Sequence, residues 1–229
     1  MWDRGTSVDE YDAGIWFVDS RIGQLLVALD RMGQLKNTVV VITSDHGESL
    51  GDHGLTYHGA ALYRELVHVP LIISYPGHVP QGIRITQAVS NAAIAITMTK
   101  MAGGNAALFP GPSLDEYWES HLGNAEPNRS WPVVVSELPQ TNTIVSADRV
   151  MQDKEPIATD GWMKSVITPQ WQLITHEKDG DQLYDWSTDA GEHANLANTP
   201  QGQAESARLK KEAGSCASCD QTHEFPRTH

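Results

Sequence analysis

Residues 37–73, NTVVVITSDHGESLGDHGLTYHGAALYRELVHVPLII, constrain this chain more than any other stretch. Val39-Val40-Val41-Ile42-Thr43 is an apolar β-branched run with the length and composition of a buried parallel strand. Where that strand should end stand Ser44-Asp45-His46-Gly47. Ligands of open α/β sheets collect at the carboxyl ends of strands, so a carboxylate and an imidazole there are well sited for metal or catalytic work. The same loop continues to Tyr57-His58-Gly59, and a second apolar run, Val69-Pro70-Leu71-Ile72-Ile73, follows. Two strands whose connection carries Asp, His, Gly and His again read as one half of an active site.

Before this stretch, Ile15, Val18, Ile22, Leu25, Leu26 and Leu29 recur at spacings of three and four within residues 10–33. That stripe predicts a helix packed on a sheet, with Asp9 as N-cap and Gly33 as its stop. Downstream, Ser90 is expected to cap a helix ended by Gly103-Gly104. Leu114, Tyr117, Trp118 and Leu122 have the spacing of a short amphipathic helix. Residues 131–136 read as a buried strand, and residues 163–168, 171–176 and 182–186 as three strands separated by hairpin-length turns. Trp162, Trp171, Tyr184 and Trp186 are expected to fill the core of that small sheet, and a short helix to follow residues 195–197.

A chain of 229 residues can hold one large domain, or a domain with a small appendage. The expected division is a main α/β part over residues 1–139, a loop over 140–160, an antiparallel subdomain with a terminal helix over 161–213, and a disordered tail over 214–229. A formal charge of −13 argues against a nucleic-acid partner, which would need a basic stripe. No apolar run has the length of a membrane span, and the first residues carry no signal-peptide pattern, so no compartment is indicated. Cys216 and Cys219, with His223 and His229, could be drawn as a zinc knuckle, but a lone C-x-x-C is a weak signal and two exposed thiols fit better.

The motifs occur in an order that resembles the sulfatase family of the alkaline-phosphatase-like superfamily. Tyr11-Asp12, Val18-Asp19 and Ile22-Gly23 resemble the helix before the family's metal loop. Asn37-Thr38, then Val41-Ile42-Thr43-Ser44-Asp45-His46-Gly47-Glu48, resembles its metal strand and loop; Gly51-Asp52-His53-Gly54, His58-Gly59 and His68-Val69-Pro70-Leu71-Ile72 continue the pattern. Gln182-Leu183-Tyr184-Asp185, with Asp189, Glu192 and Asn195-Leu196-Ala197, looks like the C-terminal signature. The resemblance covers roughly residues 7–200 and corresponds to the family's C-terminal half. The Cys (or Ser)-x-Pro-Ser-Arg motif that yields the formylglycine nucleophile is absent, as are the paired aspartates after the family's first strand.

That resemblance implies an α/β chain forming part of an alkaline-phosphatase-like sandwich, with a small C-terminal antiparallel sheet. It implies metal-dependent hydrolysis of sulfate monoesters of small molecules or glycans, with no nucleophile in this chain and hence no activity expected of it alone. Asp45 and His46 would be metal ligands, with Ca²⁺ expected and Mg²⁺ or Mn²⁺ open. His58 would contact the sulfate and protonate the leaving oxygen, and His53 is a second, weaker substrate-side candidate. Glu48 is expected to orient His46 or cap the loop, and Arg64 and Glu65 to form a solvated pair. The alternatives are phosphonate or phosphodiester hydrolysis, phosphoethanolamine transfer, or a non-catalytic fragment. With part of a sheet absent, uncovered apolar surface predicts self-association.

Overall fold

A computed structural model describes residues 4–109, 111–121, 133–138 and 161–215 of the chain. It divides into two compact units. The first lies within residues 4–60 and 65–83; the second takes in residues 61–64 and the described residues from 84 onward.

The first unit opens with α1 (Arg4–Arg31), which begins well before Asp9; that residue therefore lies inside the helix and not at its cap. The stop is where the glycine places it. Gly33 adopts φ +67°, its N–H donates to Asp30 O at 2.8 Å, and Gln34 N–H reaches back to Leu29 O at 2.9 Å. This pair of bonds is the Schellman arrangement, which a side chain at Gly33 would disfavour.

The expectation that α1 packs on a sheet holds only in part: of its stripe, Ile22, Leu26 and Leu29 are half-buried, whereas Ile15, Val18 and Leu25 are not covered. Ile15, Trp16, Phe17, Val18, Leu25 and Val27 are all exposed, Trp16 to 73%. The strand pair β1 (Val40–Thr43) and β4 (Leu71–Ser74) and a second, shorter pair in the same unit are each two strands wide, too narrow to cover a 28-residue helix.

Strand β1 also departs from expectation in direction and burial. It pairs antiparallel with β4, in the register Val40↔Ser74 to Thr43↔Leu71, and its residues are half-buried or exposed. β-Branched composition favours an extended backbone of either pairing sense, and direction is decided by the connection. Here residues 44–70 turn back through a hairpin, β2 (Ser49–Leu50) with β3 (Thr56–Tyr57), and one helical turn, α2 (Arg64–Val67), so the chain re-enters beside the end of β1.

In the second unit, α3 (Ala92–Met101) starts where Ser90 Oγ accepts the Ala92 N–H at 3.2 Å, and Gly103 follows it at φ +74°. The short α4 (Asp115–His121) buries Tyr117 and Trp118, with Leu114 just before it; Leu122 lies outside the described residues. The core is an antiparallel sheet in the order β5–β6–β7–β8, formed by Val134–Leu138, Met163–Ile167, Trp171–His176 and Gly180–Asp185. β5, grouped in the sequence with the N-terminal part, thus forms an edge of the C-terminal sheet. α5 (Pro200–Ser215) buries Leu209 and Ala213 and is longer than the short helix expected. The loop expected over residues 140–160, and Cys216, Cys219, His223 and His229, lie outside the described residues.

Within the aromatic set, Trp171 and Tyr184 are buried as expected, whereas Trp162 is 44% exposed and does not join the core. Trp186 lies under the Arg64 guanidinium, 4.7 Å from ring centroid to Cζ. Residues 61–64 are bound to the sheet at several points. Gln172 Nε2 donates to Leu62 O at 2.6 Å, Glu192 Oε2 accepts the Arg64 N–H at 2.7 Å, and Tyr63 meets Tyr184 edge-on at 6.3 Å. Glu192 is 2% exposed and its other oxygen accepts the Trp186 indole N–H at 2.8 Å. Asp189 and Asn195 accept backbone N–H groups of residues 193, 194, 183 and 197, so these members of the C-terminal signature shape the turn after β8.

Candidate functional site

All four sequence candidates lie in the first unit, in the connection between β1 and β4. β1 delivers the chain to Ser44 and Asp45, where the extended backbone ends. The Asp45 carboxylate is exposed, and its Oδ1 accepts the His46 backbone N–H at 3.1 Å. That bond, then the Asp45 N–H and, whenever it is protonated, the neighbouring His46 ring, hold the carboxyl below the usual carboxylate range.

The His46 ring is orientated by its own backbone. Nδ1 lies 2.8 Å from Gly47 O, an acceptor only, so Nδ1 carries the proton and Nε2 is left as the lone-pair nitrogen of the neutral ring. Nε2 in turn lies 3.6 Å from Asp45 Oδ2. Two electron-rich atoms at that separation repel unless a cation or a proton stands between them. A cation with bonds of about 2.3–2.6 Å, as for Ca²⁺, can hold two adjacent ligands that far apart. The residues therefore fit one edge of a coordination shell. They do not complete it: among the described residues, no group of three or more His, Cys, Asp and Glu side chains is arranged to hold an ion.

Gly47 is required by a close approach. A Cβ there would fall 1.9 Å from Glu65 O, and the Gly47 N–H donates to Leu66 O at 2.8 Å. This docks the loop against α2 and leads into the β2–β3 hairpin. The hairpin pairs Ser49 with Tyr57 and Leu50 with Thr56, and closes through Gly51, His53 and Gly54, all at positive φ.

One step beyond the Ser49↔Tyr57 pair, Glu48 faces His58. Glu48 Oε2 accepts from His58 Nδ1 at 3.0 Å, and the His58 ring stacks on His46 with centroids 4.1 Å apart. His58 is about half exposed, and Gly59 at φ +86° turns the chain away immediately after it. Asp45, His46 and His58 thus come together, with Glu48 on His58 and not on His46 as expected.

His53 is placed differently. Its ring is 10% exposed, and Nδ1 lies 3.1 Å from Glu65 Oε1, which Ser49 Oγ also approaches at 3.5 Å. Glu65 therefore serves the hairpin and does not pair with Arg64; the expected solvated pair is absent. The sequence concealed these partnerships because they span separations of ten and twelve residues in an irregular loop. A usable signal for one of them was present. Gly51-Asp52-His53-Gly54 marks a turn, and folding the chain about it sets Glu48 opposite His58.

Residues 2–104 match the family model described as Sulfatase. The chain is 29% identical over 199 residues to choline-sulfatase of Rhizobium meliloti (strain 1021), an alignment covering 87% of this chain and 35% of that protein. It superposes on the structure of a 2-O GAG sulfatase with a TM-score of 0.68 and 24% identity, covering 85% of this chain and 39% of the other. It likewise superposes on the phosphonate monoester hydrolase from Silicibacter pomeroyi with a TM-score of 0.64 and 25% identity, over 85% and 37% of the two chains. The chain spans about a third of the length of the curated relatives it matches.

Proposed function

We propose that this chain, whose fold is the α/β, alkaline-phosphatase-like one, belongs to the sulfatase family that its residues 2–104 match, and that residues 44–60 supply one side of the active site of a sulfuric ester hydrolase. The observation that carries this reading is the convergence of Asp45, His46 and His58 in one loop, with the two imidazoles stacked at 4.1 Å. Asp45 Oδ2 and His46 Nε2 would hold a divalent cation, Ca²⁺ in this reading, together with ligands that the described residues do not supply. Bound there, the ion would supply Lewis-acid polarisation of a sulfate oxygen.

His58 faces the ester. Its Nδ1 is occupied by Glu48, so Nε2 is the nitrogen that can donate to the sulfate or give a proton to the leaving oxygen. His53, with Nδ1 engaged by Glu65, would reach substrate only through its other ring nitrogen. The nucleophile is not among the 229 residues, since no Cys or Ser stands in an x-Pro-Ser-Arg context. Turnover by this chain alone is therefore not expected.

The substrate in this reading is the sulfate ester of a small alcohol or a glycan, as the names of the relatives suggest. A phosphonate monoester is the second reading, favoured by the phosphonate monoester hydrolase neighbour. Self-association is part of the proposal as well: the exposed apolar side chains of α1 and Ile72 of β4 offer a second copy a surface to cover.

Histidine-ring NMR of the full chain, titrated first with Ca²⁺ and then with 4-nitrophenyl sulfate, tests the site. His46 should respond to Ca²⁺, with the response lost in Asp45→Asn, and His58 should respond to the ester. Unmoved His46 and His58 resonances at millimolar ligand would overturn the assignment. A His58 response to a nitrophenyl phosphonate, and none to the sulfate, would select the second reading.

A further inference from the structure

Glu48 is unlike the other carboxylates of this loop. Asp45 is open to solvent, whereas the Glu48 side chain is 20% exposed and its Oε1 is buried with no hydrogen-bond partner among the described residues. A carboxylate taken out of water is costly unless its charge is met by donors. The donor it meets is His58 Nδ1, at 3.0 Å to Oε2. The backbone enforces this encounter, because the β2–β3 register makes Glu48 and His58 cross-strand neighbours just outside the Ser49↔Tyr57 pair. On its open face the His58 ring stacks on His46, whose own Nδ1 is turned to Gly47 O and so offers His58 no competing bond.

We propose that Glu48 is a positioning residue for His58: it fixes the Nδ1–H tautomer and the ring plane, so that Nε2 is the nitrogen presented to solvent and to an incoming ester. A free imidazole in water favours the opposite tautomer, with its proton on Nε2. Without Glu48, the half-exposed ring would revert to that form and lose its orientation by hydrogen bonding. In the transfer step, the Nε2–H bond of an imidazolium breaks, a bond to the leaving oxygen forms, and the ring remains neutral with its proton on Nδ1. Glu48 holds that proton throughout and does not itself take it. This assignment rests on the reading of His58 as the group that faces the leaving oxygen, but it concerns the ring in the absence of any ligand.

The experiment is measurement of the His58 ring ¹⁵N shifts in the full chain at about pH 8.5, where a model imidazole is neutral. The resonance is assigned with His58→Asn, and no metal or ester is added. The native chain should show Nδ1–H as the dominant form. Glu48→Ala should shift the tautomer ratio toward Nε2–H on the order of tenfold or more, as expected for losing a hydrogen bond to a charged acceptor. Glu48→Gln keeps an acceptor oxygen without the charge and should retain the Nδ1–H form. Thermal melting followed by circular dichroism accompanies each variant, and a Glu48→Ala chain that fails to fold leaves the native and Glu48→Gln spectra to decide.

A native ring already in the Nε2–H form overturns the proposal, as does a folded Glu48→Ala chain with an unchanged ratio. The two readings fail separately. Loss of the tautomer in Glu48→Ala without any His58 response to sulfate ester would leave Glu48 as assigned and remove the catalytic reading. An ester response with an indifferent tautomer would do the reverse.

Discussion

Glu192→Ala should destabilise the C-terminal unit by about 3–5 kcal/mol. The carboxylate is 2% exposed and accepts the Arg64 N–H at 2.7 Å and the Trp186 indole N–H at 2.8 Å. Hydrogen bonds to a charged group contribute about 1.5–3 kcal/mol each, and their loss also strands two donors. The protein retains these bonds against a local cost, for Glu192 sits at φ +55°, a left-handed conformation that costs a side-chain-bearing residue about 1–2 kcal/mol. This gives an internal control. Glu192→Gly loses the same bonds but relieves the backbone, and should be about 1 kcal/mol less destabilised than Glu192→Ala. Glu192→Gln, whose amide has one oxygen, should fall between native and Ala. Urea denaturation followed by circular dichroism gives the free energies, and hydrogen exchange at the Arg64 amide gives the local effect. If Glu192→Ala lies within about 0.5 kcal/mol of native and Arg64 exchanges no faster, the carboxylate does not hold residues 61–64, and the account of that segment is wrong.

Gly47→Ala should cost at least about 1–3 kcal/mol, because its Cβ would meet Glu65 O at 1.9 Å and backbone must move; loss of the ring-current shifts from the His46–His58 stack would report it. Tyr184 is held above the usual phenol range, first by burial and then by nearby Tyr63 and Glu192. Its contribution is therefore full below the unfolded value of about 10 and is lost as pH rises above it, so Tyr184→Phe should flatten the alkaline side of the stability profile. Asp45→Asn should abolish the Ca²⁺ heat in isothermal titration calorimetry while leaving the melting temperature nearly unchanged, since the side chain is exposed. Trp16→Glu on α1 should reduce any concentration-dependent association seen by light scattering; a native chain that is monomeric at high concentration would count against an exposed docking face.

Local signals were legible wherever the physics is local. Gly33 ends α1 because a left-handed residue is needed there, Ser90 caps α3 with its hydroxyl, and the turns at residues 169–170 and 178–181 set β6, β7 and β8 into one meander. Ser44-Asp45-His46-Gly47 gave the position of the candidate site for the same reason, since a strand that stops at an acid and an imidazole displays both at its end. The direction of β1 was not legible. Valine and isoleucine favour an extended backbone whichever way the neighbour runs, and β4 lies 27 residues further along a loop. Nor could the stripe on α1 say what covers it, because periodicity identifies an apolar face and is silent about its partner.

The sequence alone thus determined most of the longer elements, the end of α1 at Gly33 and the start of α3 at Ser90, and the candidate side chains of the loop after β1; these depend on neighbours within a few residues. Tertiary structure alone decided the pairings: Glu48 with His58 and not His46, Glu65 with His53 and not Arg64, and Arg64 with Glu192 across 128 residues. Each follows from where a turn or a sheet returns the chain. A carboxylate will pair with any donor brought within about 3 Å, and its chemistry does not specify which one arrives.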